Sequence, residues 1–247
     1  MSFSIGIFGD SYADTGMDTT GSAWGNLLAK EFTVTNHSRS GTSLWWAYNT
    51  FLEHFAKYDV IIFSFTNPSR WPNLPKEYEG KEWNIGYVKE NDYFIDKLNP
   101  YFWDLFPENL LQFINSAIHK RVTEQCISQT KYLISVIPFC DNDNPLDVEL
   151  ANAPFPVIIG LDKVSHMEEV MIDGKMHNTG KYLSNTKLPD HRACHLNPSN
   201  NKIIASWMLD CINQQKLNTI FDGTSYPNWI IHDEADSGNA KYFKDRK

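Results

Sequence analysis

The chain has 247 residues, of which 42% are hydrophobic and 21% are charged, a composition typical of a soluble globular protein. Its net charge is −8 and its lysines and arginines form no cluster, which argues against a nucleic-acid partner. No apolar run approaches the roughly 20 residues of a membrane-spanning helix, so we predict no membrane span.

The four cysteines lie far apart, at Cys126, Cys140, Cys194 and Cys211. They contain no closely spaced pair typical of a zinc site, and four cysteines in a chain this long do not indicate a disulfide scaffold. We therefore expect reduced thiols, no metal and no cofactor. The sequence opens without the charged and apolar regions of a signal peptide, which favours a cytoplasmic location. A processed N-terminus, or release of a phage-encoded protein by lysis, stays an alternative, and no feature indicates an oligomeric state.

Apolar runs alternate with segments of helical periodicity, a pattern that predicts a parallel sheet covered by helices on both faces. We expect one α/β domain over residues 1–247, in three α/β/α layers. The predicted strands are about residues 3–8, 32–36, 60–65, 132–139 and 157–159. The predicted helices are about residues 22–31, 43–57, 106–128 and 198–215. The expected apolar face of the second helix consists of Leu44, Tyr48, Phe51, Leu52 and Phe55. That of the third helix consists of Leu110, Leu111, Phe113, Ile114, Ala117 and Ile118.

Three stretches do not fit this alternation. Residues 67–105 are rich in proline and aromatic side chains and form an insert after the third predicted strand. Residues 141–189 are mixed, and residues 157–159 are their best candidate strand. The polar tail after about residue 218 receives no assignment.

The first predicted strand is followed by Gly9 and, two residues later, by Ser11. A glycine permits a sharp turn there, and a serine just past the carboxyl end of a strand lies where open α/β sheets bind ligands. Free backbone N–H groups at the start of a following helix can also face an anion. Ser11 is therefore a candidate nucleophile, and the alternative is that its hydroxyl only caps the next helix.

Three further polar segments follow predicted strands or precede the last helix. They contain Gly41, Asn67, and the pair Asp190 and His195. The carboxyl ends of parallel strands gather at one edge of a sheet, so these side chains and Ser11 can converge. Each residue also has a structural alternative, as a turn former for Gly41 and Asn67 and as a capping or ion-pairing residue for the other two.

In this order, the four segments resemble the blocks of the SGNH (GDSL-type) hydrolase family, over residues 4 to about 205. The resemblance implies a flavodoxin-like three-layer fold with Ser11 as nucleophile and His195 as its base. It also implies that the Ser11 N–H, the Gly41 N–H and the Asn67 amide donate to the oxyanion when Ser11 attacks an acyl carbonyl.

The chain departs from the family pattern at three places. Tyr12 stands where leucine usually follows the serine, and the segment around Asn67 lacks the usual flanking glycine and aspartate. Arg192 occupies the position of the aspartate that usually lies three residues before the histidine. Asp190, five residues before it, is therefore the candidate acid that orients the imidazole, and His191 is a rival base.

The candidate substrate-binding residues close to these segments are Arg70, Trp45, Trp46 and Trp71. Flat aromatic surfaces suit a sugar face or an acyl chain, although such residues can also form a hydrophobic cluster that holds down a long loop. The favoured substrate is a small acyl ester, such as an O-acetyl group on a carbohydrate. Thioesterase, lipase-like or acyltransferase chemistry on the same site, and a non-catalytic binding protein, are the alternatives.

Overall fold

The computed structural model describes residues 3–16, 18, 21–40, 42–65, 70–71, 83–84, 108–138, 154–159, 161, 169–172, 175–178, 196, 198–223 and 226. The elements in chain order are β1 (Ser4–Phe8), α1 (Trp24–Leu28), β2 (Thr33–Asn36), α2 (Leu44–His54), β3 (Val60–Ser64), β4 (Arg70–Trp71), β5 (Trp83–Asn84), α3 (Glu108–Ser128), β6 (Tyr132–Val136), β7 (Val157–Ile159), β8 (Glu169–Ile172), β9 (Lys175–Asn178), α4 (Pro198–Gln214) and β10 (Ile220–Asp222). A short 3-10 helix, Phe55–Lys57, follows α2 directly.

Six of these strands form one parallel sheet in the order β2-β1-β3-β6-β7-β10. Next to the β2 edge, Ile5 of β1 pairs with Val34 of β2 on one side and with Val60 of β3 on the other. This is the flavodoxin-like order, in which the first strand lies between the second and the third. The predicted α/β class and parallel sheet are therefore confirmed.

Helices cover both faces of the sheet, because side chains alternate between the faces along each strand. Ile5 and Ile7 of β1 face a core that includes residues of α1 and α4. Phe8 of β1 and Phe63 of β3 face the opposite core, which includes residues of α2 and α3. The sheet, with one pair of helices packed on each face, therefore forms the three layers that the sequence predicts.

The predicted apolar faces of α2 and α3 meet the core, with one exposed exception in each. Leu44, Phe51 and Phe55 are buried as predicted, whereas Leu52 is 43% exposed. In α3 the predicted Ile118 is buried, whereas Phe113 is 68% exposed. The periodicity therefore gives the buried side of both helices, and long apolar residues at its margin can still be exposed.

The stretches outside the predicted alternation also contain strands. β10, in the tail that received no assignment, pairs with β7 and lies at the edge of the sheet. β4 with β5, and β8 with β9, form two antiparallel pairs. None of the described helices is both long and apolar enough to cross a membrane. Cys126 and Cys211 are buried free thiols, and the other two cysteines lie outside the described residues.

Candidate active site

The carboxyl edge of the sheet between β1 and β3 is the topological switch point of this strand order. The chain leaves β1 for β2 on one side and returns to β3 on the other side, so the connections diverge there. Open α/β sheets bind ligands in the crevice that such diverging connections leave. Ser11 follows β1 directly and lies at this point.

Gly9 lets the end of β1 pass close to the end of β3. A Cβ atom on residue 9 would lie 2.7 Å from the Ser64 Cβ and 2.9 Å from the Ser64 carbonyl oxygen. Either distance is too short for unbonded atoms, so a larger residue would push the strand ends apart. Glycine therefore allows the compact turn that carries Ser11.

Ser11 lies in a tight turn organised by Asp10. The Asp10 carbonyl accepts from the N–H groups of Ala13 (3.1 Å) and Asp14 (2.9 Å), and its carboxylate accepts from the Tyr12 N–H (3.0 Å). Asp10 is fully buried and Ser11 is 7% exposed. The next described helix, α1, has Ala23 at its N-cap. Ser11 therefore does not cap α1, and the turn around it is held by hydrogen bonds of its own.

The start of the loop after β2, residues 37–40, lies alongside this turn. The His37 N–H donates to the Ile7 carbonyl (2.8 Å), and the Arg39 N–H donates to the Gly9 carbonyl (3.2 Å). These bonds extend the contact between β1 and β2 beyond the strands. They bring the segment that leads to Gly41 next to the segment that leads to Ser11.

Asn36, the last residue of β2, joins the same two segments through its side chain. Its amide Nδ2 donates to the Ala13 carbonyl at 2.7 Å, and its Oδ1 accepts from the Ser38 N–H at 2.9 Å. One amide therefore holds the end of the Ser11 turn and the start of the loop after β2.

Asp14 makes a second link between the Ser11 turn and the loop after β2. Its Oδ2 accepts from the Ser40 N–H (2.8 Å) and from the Ser40 Oγ (2.6 Å), while its Oδ1 accepts from the Gly16 N–H (2.8 Å). Hydrogen bonds to an ionised carboxylate are stronger than those between neutral groups. We call this arrangement of Asp14 and Ser40 the carboxyl-edge clasp.

A buried bridge joins the Ser11 turn to the segment before α4. The indole Nε1 of Trp24 donates to the Tyr12 carbonyl (3.1 Å), and the Trp24 N–H donates to Oδ1 of Asn201 (2.9 Å). The Asn201 Nδ2 in turn donates to the Leu196 carbonyl (2.9 Å). Tyr12 follows Ser11 and Leu196 follows His195, so this bridge ties together the neighbours of both residues.

Four of the predicted site residues, Gly41, Asn67, Asp190 and His195, lie outside the described residues. Described residues lie next to or near three of these positions in the sequence. Ser40 and Thr42 flank Gly41, Phe65 of the β3 end comes just before the segment with Asn67, and buried Leu196 follows His195.

The candidate substrate-binding residues fall on α2 and β4. Trp45 is 47% exposed on the first turn of α2, whereas Trp46 packs partly against the core between α2 and α3. Arg70 and Trp71 form β4, which contacts α2, and their side chains lie outside the described part of the chain. Exposed Trp45 is the described member of this group that a ligand can reach directly.

His119 of α3 packs beneath the carboxyl edge. Its Nε2 lies 3.2 Å from the Ser135 Oγ, and its ring centroid lies 5.2 Å from that of Phe65. Burial lowers the pKa of His119 to about 4, so the imidazole is neutral at pH 7. A neutral ring there supports Phe65 without adding a charge below the edge.

Asp14, Trp24 and Asn201 are the linking residues that the sequence analysis did not single out. The sequence did contain one indication for Asn201, because this polar residue shares the apolar stripe of α4 with Ile204 and Met208. In the structure Asn201 is 7% exposed. A polar side chain on a buried stripe needs a partner, and such a residue is worth testing as a structural link.

No protein-family model and no curated protein sequence matches this chain. Among solved structures, the crystal structure of the acetyl xylan esterase AlAXEase aligns with 85% of this chain and with 99% of its own chain. The sequence identity is 16% and the TM-score is 0.44. The fold class therefore rests on the strand order described above, and the candidate chemistry rests on the residues at the carboxyl edge.

Proposed function

We propose that this protein is a serine esterase of the SGNH (GDSL) type that removes a small acyl group, with O-acetyl groups on a carbohydrate as its favoured substrates. The buried bridge from Tyr12 through Trp24 and Asn201 to Leu196 is the observation that carries the proposal. A nucleophilic serine and its base must come within about 2.6–3.2 Å of each other. A bridge between the residues that follow Ser11 and His195 favours such a pairing.

In this mechanism the Ser11 Oγ attacks the carbonyl carbon of the ester while His195 takes the Ser11 proton. The tetrahedral intermediate then collapses, the bond to the alcohol breaks, and His195 gives its proton to the departing alcohol oxygen. Water then attacks the acyl-enzyme carbonyl while His195 takes a proton from the water. The bond between the acyl carbon and the Ser11 Oγ breaks, His195 returns the proton to this oxygen, and the carboxylic acid leaves. Asp190 orients the imidazole and stabilises its charged form.

The oxyanion of the intermediate needs donors that are in place before the reaction begins. The proposed donors are the N–H groups of Ser11 and Gly41 and the side-chain amide of Asn67. The hydrogen bonds between the Ser11 turn and the loop after β2 support this choice for the first two, because they hold the two segments side by side.

Chemical labelling of Ser11 tests the proposal before any substrate is known. The native protein is treated with a fluorophosphonate and its intact mass is measured, with Ser11→Ala in parallel. We expect one adduct that maps to Ser11 and is absent from the variant. No adduct, under conditions that label a control esterase, would overturn the esterase proposal in favour of a non-catalytic binding protein, the reading that the altered Asn67 and Asp190 segments support.

A substrate panel then defines the reaction. It contains p-nitrophenyl esters of increasing acyl length, a thioester, and acetylated xylan, for which the matching solved structure is named. We expect the shortest acyl ester to give the highest kcat/KM. Faster turnover of the thioester or of long chains would favour the thioesterase or lipase-like alternative, and acylation of an added sugar would favour an acyltransferase.

A further inference from the structure

We propose that Asp14 is a positioning residue. It holds the loop after β2, which leads to the proposed oxyanion donor Gly41, against the Ser11 turn. This inference rests on the proposed esterase function and assigns a part in it to the carboxyl-edge clasp. Asp14 lies at the end of the Ser11 turn, since its N–H donates to the Asp10 carbonyl (2.9 Å). Its partner Ser40 directly precedes Gly41.

Both neighbours of position 41 are held in place. Asp14 Oδ2 holds Ser40 through two hydrogen bonds, of 2.8 and 2.6 Å. On the other side, the Thr42 Oγ donates to the Arg39 carbonyl at 2.7 Å, and Arg39 is itself bound to Gly9. Ser40 and Thr42, the described residues on either side of position 41, are therefore each tied by hydrogen bonds to the segments around Ser11.

Asp14 is also fixed itself, which lets it act as a rigid link. Its Oδ1 accepts from the Gly16 N–H, so that each carboxylate oxygen is bound to a different segment. Alanine removes both connections. Asparagine replaces one carboxylate oxygen by an amide donor, which can bond the Ser40 Oγ but cannot accept from the Ser40 N–H, so it keeps only part of these hydrogen bonds.

This role predicts a loss in turnover and little change in substrate binding. Oxyanion donors act in the transition state, and removal of one donor lowers kcat by about 100-fold or more. A misplacement of about 1 Å can cost a similar factor. We expect Asp14→Ala to lower kcat by about 10- to 100-fold with KM changed less than about threefold, and Asp14→Asn to fall between Asp14→Ala and the native protein.

The amino edge of the sheet offers a matched control. There Asp59 Oδ2 accepts from the Ser4 N–H (3.0 Å) and from the Ser4 Oγ (2.7 Å), the same pair of bonds that Asp14 makes with Ser40. Asp59→Ala therefore removes an equivalent clasp far along the strands from Ser11. We expect it to lower the melting temperature slightly, while kcat on p-nitrophenyl acetate stays within twofold of the native value.

The experiment measures kcat and KM on p-nitrophenyl acetate, the rate of Ser11 labelling by the fluorophosphonate, and the melting temperature, for the native protein, Asp14→Ala, Asp14→Asn and Asp59→Ala. If Asp14→Ala does not fold, Ser40→Ala, which removes the hydroxyl bond and keeps the N–H bond, takes its place with a smaller expected loss in kcat.

The results separate this inference from the esterase proposal. If Ser11 is labelled in the native protein but Asp14→Ala keeps its kcat, the esterase proposal stands and the positioning role is wrong. An equal loss of kcat in Asp59→Ala means that a general loss of stability explains the effect, which also overturns the role. If native Ser11 is neither labelled nor needed for turnover, both proposals fail.

Discussion

The two edges of the parallel sheet are built from the same kind of clasp but differ in what surrounds it. At the amino edge, Asp59 binds Ser4 and joins the first residue of β1 to the residue before β3. At the carboxyl edge, Asp14 binds Ser40 and joins two loops. One clasp closes a strand pair, whereas the other holds loops next to the candidate nucleophile.

The carboxyl edge carries additional links that tie distant parts of the chain together. Asn36 binds the Ser11 turn, and Asn201 binds Trp24 and Leu196 while lying 7% exposed within the first turns of α4. Buried polar groups of this kind are costly unless they are paired, and when paired they specify one arrangement. We infer that these bonds hold the described parts of the carboxyl edge, the Ser11 turn and the start of the loop after β2, in one arrangement.

The largest expected effect is on turnover, and it distinguishes a serine at the carboxyl edge, Ser11, from a serine at the amino edge, Ser4. Ser11→Ala and His195→Ala should each lower esterase kcat by about 10⁴-fold or more, because nucleophile and base act as a unit. Asp190→Asn should leave a measurable remainder, since the acid only orients the base. Ser4→Ala, at the amino edge, should retain turnover. Steady-state kinetics on p-nitrophenyl acetate measures all four, and native turnover in Ser11→Ala would show that the site is misassigned.

The second effect concerns the close approach of strands at the carboxyl edge. Gly9→Ala should lower the free energy of unfolding by about 3 kcal/mol, because the new Cβ would lie 2.7 Å from the Ser64 Cβ and 2.9 Å from the Ser64 carbonyl oxygen. Gly21→Ala is the control, since Gly21 has a φ of 69° but open space around it, and only backbone strain of about 1 kcal/mol is expected. Urea unfolding measures both, and equal losses would contradict a steric role for Gly9.

The third effect is a pH dependence that arises beneath the carboxyl edge. Burial holds the pKa of His119 at about 4, below its ordinary value of 6.5. As the pH falls from about 6.5 to 4, the unfolded chain binds a proton that the folded protein excludes, so stability decreases by up to about 3 kcal/mol. His119→Gln should remove this part of the decrease. Denaturant unfolding between pH 7 and pH 4 measures it, and an unchanged slope in His119→Gln would contradict it.

The smallest expected effect is on stability, and it concerns Asp59 at the amino edge at low pH. The hydrogen bonds from Ser4, and secondarily the charge of Lys131, hold the pKa of Asp59 below its ordinary value of 3.8. Its contribution is therefore present above that value and lost as the pH falls through the lower pKa of the folded protein. Because Asp59 is exposed, Asp59→Asn should cost well under about 1 kcal/mol at pH 7. The difference between Asp59→Asn and the native protein should vanish in acid, and a difference that grows there would contradict this assignment.

Much of the fold could be predicted from local patterns. β3, Val60–Ser64, is a continuous apolar run, and a buried parallel strand shows this pattern. The helical face of α4 was predicted from residues such as Ile204 and Met208, which are fully buried. The face of α2 was predicted from Leu44 and Phe51, which are buried, but buried Ala47 was missed because alanine carries a weak apolar signal. β10 was missed because three residues with one buried side chain show no clear alternation.

The sequence by itself determined the α/β class, the approximate bounds of the main strands and helices, and the order of the segments around Ser11, Gly41, Asn67 and His195. These follow from short-range periodicity and from glycine and polar residues at strand ends, which act within a few residues. Only the tertiary structure decided which loops are joined. Asp14 and Ser40 are 26 positions apart, and Trp24 and Asn201 are 177 positions apart. Hydrogen bonds over such separations leave no local pattern, because the strand order of the folded sheet is what brings their partners together.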